Sequence, residues 1–225
     1  IKKFFMNKLN IIMYHYVRPI KGTDFYNIKG LELHKFERQL DFLEENYKIV
    51  TLEEIKLAIS NKIRLPNNSC WLTFDDGFLD HYKYVLPELK KRKLQGTFFP
   101  AVGPIFSNKI LDVHAIHFII ATMSNPKELK QNLDKLCLKN NIKEEDLLLL
   151  WKNYGKPNRF DEASTIYVKR LLQHALPEDM RSVIIEKLFE KCLGFMPNEL
   201  CSKLYMTEKQ ISELISERYA CRQSW

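Results

Sequence analysis

The chain has 225 residues, 45% of them hydrophobic and 12% aromatic, enough for one sizeable core and too apolar for a disordered segment. Its net charge of +7 comes from mixed signs, 28% of residues being charged, and no aromatic-basic motif accompanies it, so nucleic acid is not an expected partner. No run reaches the roughly eighteen apolar residues of a membrane span, and five cysteines without CxxC spacing exclude a zinc ribbon and point to reduced thiols.

The basic opening, Ile1 to Phe5, is followed by polar Asn7, Lys8 and Asn10, which interrupt any signal-peptide core. Met6 is a candidate natural start, and a cytoplasmic location is expected. Residues 10–17 form a short apolar run ending near Pro19, a first strand that contains His15. A histidine there is either a rim residue with satisfied nitrogens or part of a site. Leu33, Phe36, Leu40, Leu43 and Tyr47 recur at three and four and predict an amphipathic helix. Ile49 and Val50 predict a short strand, and Thr51 with Glu54 a capping box opening a helix buried through Leu52, Ile55 and Ile59.

Residues 69–77, Ser-Cys-Trp-Leu-Thr-Phe-Asp-Asp-Gly, form an apolar run that stops at two carboxylates and a glycine. With little polar alternation it predicts a strand covered on both faces, as in a parallel α/β sheet. At the carboxyl end of such a strand Asp75 and Asp76 can share one space, where their repulsion invites a divalent cation. Asp-Asp-Gly is also ordinary turn chemistry. Leu79, Tyr82, Val85, Leu86 and Leu89 predict the next helix, which Pro87 either restarts or kinks. Asp80 and His81 fall in its first turn, His81 reading as a solvated histidine or a ligand. Lys90 to Lys93 suit a helix C-terminus or a phosphate. Residues 96–102 then supply a strand and complete a βαβ unit.

Thr73-Phe74-Asp75-Asp76-Gly77, followed by Gly96-Thr97-Phe98-Phe99, resembles the polysaccharide deacetylase family, metal-dependent carbohydrate esterases of the NodB-homology type with a distorted (β/α) barrel. The resemblance implies Asp75 as catalytic base, Asp76 as ligand of a divalent metal such as zinc, and an acetylated sugar or glycan as substrate. An opening Tyr-His strand is similar in relatives, where the histidine lies close to the site, so His15 is a further candidate.

From Leu111 to about Leu204 only helical signals appear, with Gly194 able to end one helix. The expected fold is therefore α/β: a partial, distorted (β/α) barrel with a large helical insertion. Its expected segments are a barrel half over 8–105, the insertion over 106–205 and a return to the barrel over 206–225. The insertion opens with Asp112, His114 and His117; histidines three apart on a helix face one side and could grip a metal. Thr207 and Gln210 predict another capping box. The His pair that completes the metal site in the family is missing, as no histidine follows His174. Three accounts follow: a truncated deacetylase, a variant whose metal shell uses His15, His81, His114 and His117, or a non-catalytic carbohydrate-binding or assembly module.

Overall fold

The structure, a computed structural model, describes residues 8–222 except 24, 26 and 61. The basic opening, Met6 and residues 223–225 lie outside them. The chain divides into two compact units, one of residues 1–20, 30–108 and 202–225, the other of 21–29 and 109–201.

The first unit is built on five parallel strands: β1 (Leu9–Tyr14), β2 (Lys48–Ile49), β3 (Ser69–Asp76), β4 (Thr97–Pro100) and β5 (Ala220–Cys221). β3 is central. β1 runs along one edge of it from Leu9↔Ser69 to Tyr14↔Phe74. β2 and β4 share the other edge, at Ser69 and Cys70 and at 73–76 respectively. Parallel neighbours need crossovers, which α1 (Leu33–Asn46), α2 (Leu52–Ile59) and α3 (Leu86–Arg92) supply. Cys70, Leu72 and Phe74 point alternately into the core and are fully buried with Phe36, Leu40, Leu89 and Phe98. Tyr14 stacks on Phe74 at 5.3 Å and Phe74 on Phe98 at 4.9 Å, an aromatic row across three strands. The opposite face is not fully covered as expected: Trp71 is half-buried, and its neighbours in β1, Ile11 and Met13, are 56% and 59% exposed.

Local chemistry accounts for several element ends. Thr51 accepts from the backbone N–H of Glu54, whose carboxylate accepts from the Thr51 N–H at 2.7 Å, the predicted capping box. Thr51→Ala is expected to lower stability by about 1 kcal/mol; a urea midpoint that does not move would show that α2 is held by packing alone. Pro87 stands in the first turn of α3, directly after the π-helical turn His81–Val85. The basic last turn of α3 faces carboxylates rather than a free phosphate site: Arg92 binds Glu88, Asp41 and Glu44, each at 2.6 Å, and Lys90 pairs with Glu217.

After β4 comes the short α4 (Val102–Ser107), which periodicity did not reveal. The second unit then holds α5 (Asp112–Thr122), α6 (Pro126–Lys139), α7 (Glu144–Tyr154), α8 (Ala163–Arg170) and α9 (Glu178–Leu193), the last ended by Gly194 at φ 80°. α5 packs on α9 and α6 on α8. Residues 21–29 join this unit through Phe25 against Phe118 at 4.7 Å and a Lys29–Asp161 ion pair at 2.6 Å. The insertion thus follows the fourth strand. α10 (Pro197–Leu204) leads back to the first unit, where Thr207 and Gln210 form the predicted capping box of α11 (Glu208–Ser216). After Glu217 the chain adds a fifth strand: β5 pairs with β4 through Thr97↔Ala220 and Phe98↔Cys221. Two residues are too few to leave a periodic signal. The five cysteines form no disulfide.

Candidate active site at the ends of β1 and β3

Asp75 and Asp76 are the last residues of β3. By register Asp75 lies beside Phe99 and Asp76 beside Pro100. Strict alternation would send them to opposite faces. It lapses because Asp76 has φ 71° and Gly77 φ 69°, two consecutive left-handed residues that swing the chain sharply off the strand. A non-glycine residue held there carries about 1 kcal/mol or more of backbone strain and marks a place where geometry is constrained from outside. The constraint is visible: the Met206 N–H donates to the Gly77 carbonyl at 2.9 Å, and Phe78 bridges to Tyr205 with stacked rings.

The pairing of β1 with β3 ends at Tyr14↔Phe74, so the next residue, His15, emerges level with the two aspartates. Its Nε2 is 3.8 Å from Asp76 Oδ2, with side chains 44% and 24% exposed. Burial pushes the Asp75 carboxyl above its ordinary range; Asp76 adds to the rise and His15 opposes it. Three groups that exchange protons thus interact at one mouth of the sheet, the arrangement expected of a strand-end site.

His81 is not a solvated histidine. It is fully buried, with its ring edge-on to Phe74 and Phe78, and burial lowers its pKa to about 4, so it is neutral. Its Nε2–H donates to the His15 carbonyl at 2.8 Å, which fixes the tautomer, and Nδ1 is buried without a hydrogen-bond partner. The residue before it, Asp80, is also buried and holds Arg18 at 2.6 Å. The Arg18 guanidinium lies over Tyr16, which stacks on Phe78 at 4.2 Å. Arg18 and Tyr16 could not be singled out from sequence, because their partners lie about sixty residues away with no spacing rule to connect them.

His114 and His117 lie on α5 of the helical unit, ring centroids 6.0 Å apart, with His114 buried. Helical spacing makes them neighbours, but among the described residues no group of three or more potential ligands exists anywhere. The same holds at the strand ends, where His15 and Asp76 are two converging donors and a catalytic zinc takes three from the protein. The described residues therefore do not by themselves complete a metal site. No helix among the described residues is long and apolar enough to cross a membrane.

The sequence profile of polysaccharide deacetylases matches residues 62–134. A Bacillus subtilis (strain 168) protein named "Putative polysaccharide deacetylase YxkH" is 34% identical over 94 residues, 41% of this chain and 31% of that protein. Among solved structures, IcaB from Ammonifex degensii is 27% identical, with 51% of this chain and 49% of that one covered and a TM-score of 0.40. A de-N-acetylase from Aggregatibacter actinomycetemcomitans is 24% identical, with 43% and 38% covered and a TM-score of 0.39. The chain spans less than a third of the length of the Bacillus relative and less than half of either structure. The segment that ends β3 in Asp75, Asp76 and Gly77 lies within the part of the chain that is similar to the polysaccharide deacetylases.

Proposed function

We propose that the chain acts in removing acetyl groups, N- or O-linked, from a sugar or polysaccharide, with Asp75 as general base. The observation that carries this reading is the juxtaposition of Asp75, Asp76 and His15 at the carboxyl ends of two neighbouring strands, the two aspartates lying in the segment that matches the deacetylases. In the reaction a water adds to the acetyl carbonyl carbon while Asp75 takes its proton. The bond from that carbon to nitrogen or oxygen then breaks, and the proton passes to the departing sugar amine or hydroxyl, releasing acetate. His15 counters the rise in the Asp75 pKa and so favours its basic form. A divalent cation, zinc in the first instance, is proposed to take Asp76 as one ligand. With His15 the second donor beside it, no step of the reaction is assigned to the metal.

The test is acetate release from acetylated amino-sugar oligomers, run beside a zinc titration of the chain and of Asp76→Ala. Release that depends on Asp75, with weak zinc uptake that disappears in Asp76→Ala, is the expected result. Stoichiometric zinc that survives Asp76→Ala would place the metal elsewhere. The shortage of donors favours a second reading, a non-catalytic glycan-binding module; saturable binding of an acetylated oligomer with no acetate released would establish it.

A further inference from the structure

We infer that His81 is a positioning residue of this site: by holding the backbone of His15 it sets the His15 imidazole against Asp76. The inference rests on the reading of Asp75, Asp76 and His15 as the working groups.

The β1–β3 ladder ends one residue before His15, so the ladder itself does not fix where His15 goes. Beyond it the chain is anchored on two sides. On one, the Leu31 N–H donates to the Tyr16 carbonyl at 2.9 Å and the Arg18 N–H to the Leu31 carbonyl at 3.0 Å. On the other, two consecutive residues after β3 reach across, Asp80 to the Arg18 guanidinium and His81 to the His15 carbonyl. Of these contacts only that of His81 falls on His15 itself. The geometry also departs from what packing alone would select. A phenylalanine would fill the pocket between Phe74, Phe78 and Phe98 without burying a polar ring, whereas His81 leaves Nδ1 without a hydrogen-bond partner. A polar group kept at that cost is there for the one bond it makes. The π-helical turn that begins at His81 is a rare conformation that concentrates at functional sites.

The full chain carrying His81→Gln, His81→Asn or His81→Phe separates positioning from simple core packing. A glutamine amide nitrogen reaches about as far as Nε2 and can donate to the same carbonyl; phenylalanine fills the space and cannot donate, and asparagine donates but falls short. The primary readout is the NMR signal of the His15 ring and its change on Asp76→Asn. That response should persist in His81→Gln and vanish in His81→Phe and His81→Asn. Acetate release should follow it, with kcat down about 10- to 100-fold in the phenylalanine variant at little change in KM, and recovered in the glutamine variant. A phenylalanine variant that keeps the His15 response, or a glutamine variant that folds and loses it, overturns the inference. Should the phenylalanine variant fail to fold, the contrast between glutamine and asparagine decides by the same criterion. If the unmodified chain releases no acetate, the reading of the site fails, while the His15 response still decides what His81 does.

Discussion

Gly77→Ala is expected to cost the fold several kcal/mol, more than any single polar contact around the site. Two independent penalties combine. Gly77 has φ 69°, a conformation that costs an L-residue about 1–2 kcal/mol. Its added Cβ would also stand 2.8 Å from both Cα and Cβ of Pro100. Pro100 is the residue that pairs with Asp76, so the collision is between the end of β3 and the end of β4. Because Pro100 Cα is backbone, no rotamer change relieves it, and forcing atoms into packed space costs roughly another 1–3 kcal/mol. The carbonyl of Gly77 also holds Met206, so a displaced turn loosens the return of the chain towards β5. Urea denaturation followed by circular dichroism measures the loss. A variant with the midpoint of the unmodified chain would show that β4 can move aside, and the close approach would no longer explain why a glycine stands here.

How much of this was legible in the residues depends on the range of the interaction. β3, the capping boxes at Thr51 and Thr207 and the helical stretch after β4 are written in local spacing and were readable there. The closeness of Asp75 and Asp76 was expected from the lapse of alternation at a strand end; the left-handed φ of Asp76 is how the chain does it. His15 was singled out because it stands inside an apolar run whose Tyr-His opening is similar in deacetylase relatives, and it does meet Asp76. His81 was misread for a physical reason. Its neighbours in sequence, Asp80 and Lys83, suggest a wet helix face, but the groups that bury it come from β3, β4 and the turn after β3. The pairing of Asp80 with Arg18 was invisible on the same ground: it spans 62 positions. β5 escaped because it is defined by its partner, not by its own composition.

Asp75→Asn should sharply lower acetate release and at the same time make the protein harder to unfold near neutral pH. Burial raises the Asp75 pKa above its unfolded value, Asp76 raises it further, and His15 only partly offsets them. Because the folded state holds this proton more tightly, the unfolded chain ionises first as pH climbs from the ordinary carboxylate range near 4. Stability is therefore lost as pH rises towards the folded pKa, and the full penalty remains above it. An asparagine keeps the shape and cannot ionise, so its variant should show a higher urea midpoint than the unmodified chain at pH 7, with the gap closing below about pH 3. Activity should move the other way, by about 10²- to 10⁴-fold, because the amide cannot accept the proton of the attacking water. The paired signs matter more than either magnitude. A merely structural aspartate would show a stability loss on substitution, and a merely exposed one no change in either quantity. Equal midpoints at pH 7 would mean that the carboxylate is not held at a cost, and undiminished acetate release would remove it as the base. Asp76→Asn supplies the control: deleting the neighbouring charge lowers the folded Asp75 pKa, so the loss of stability should be complete at a lower pH and be smaller in total while Asp75 remains in place.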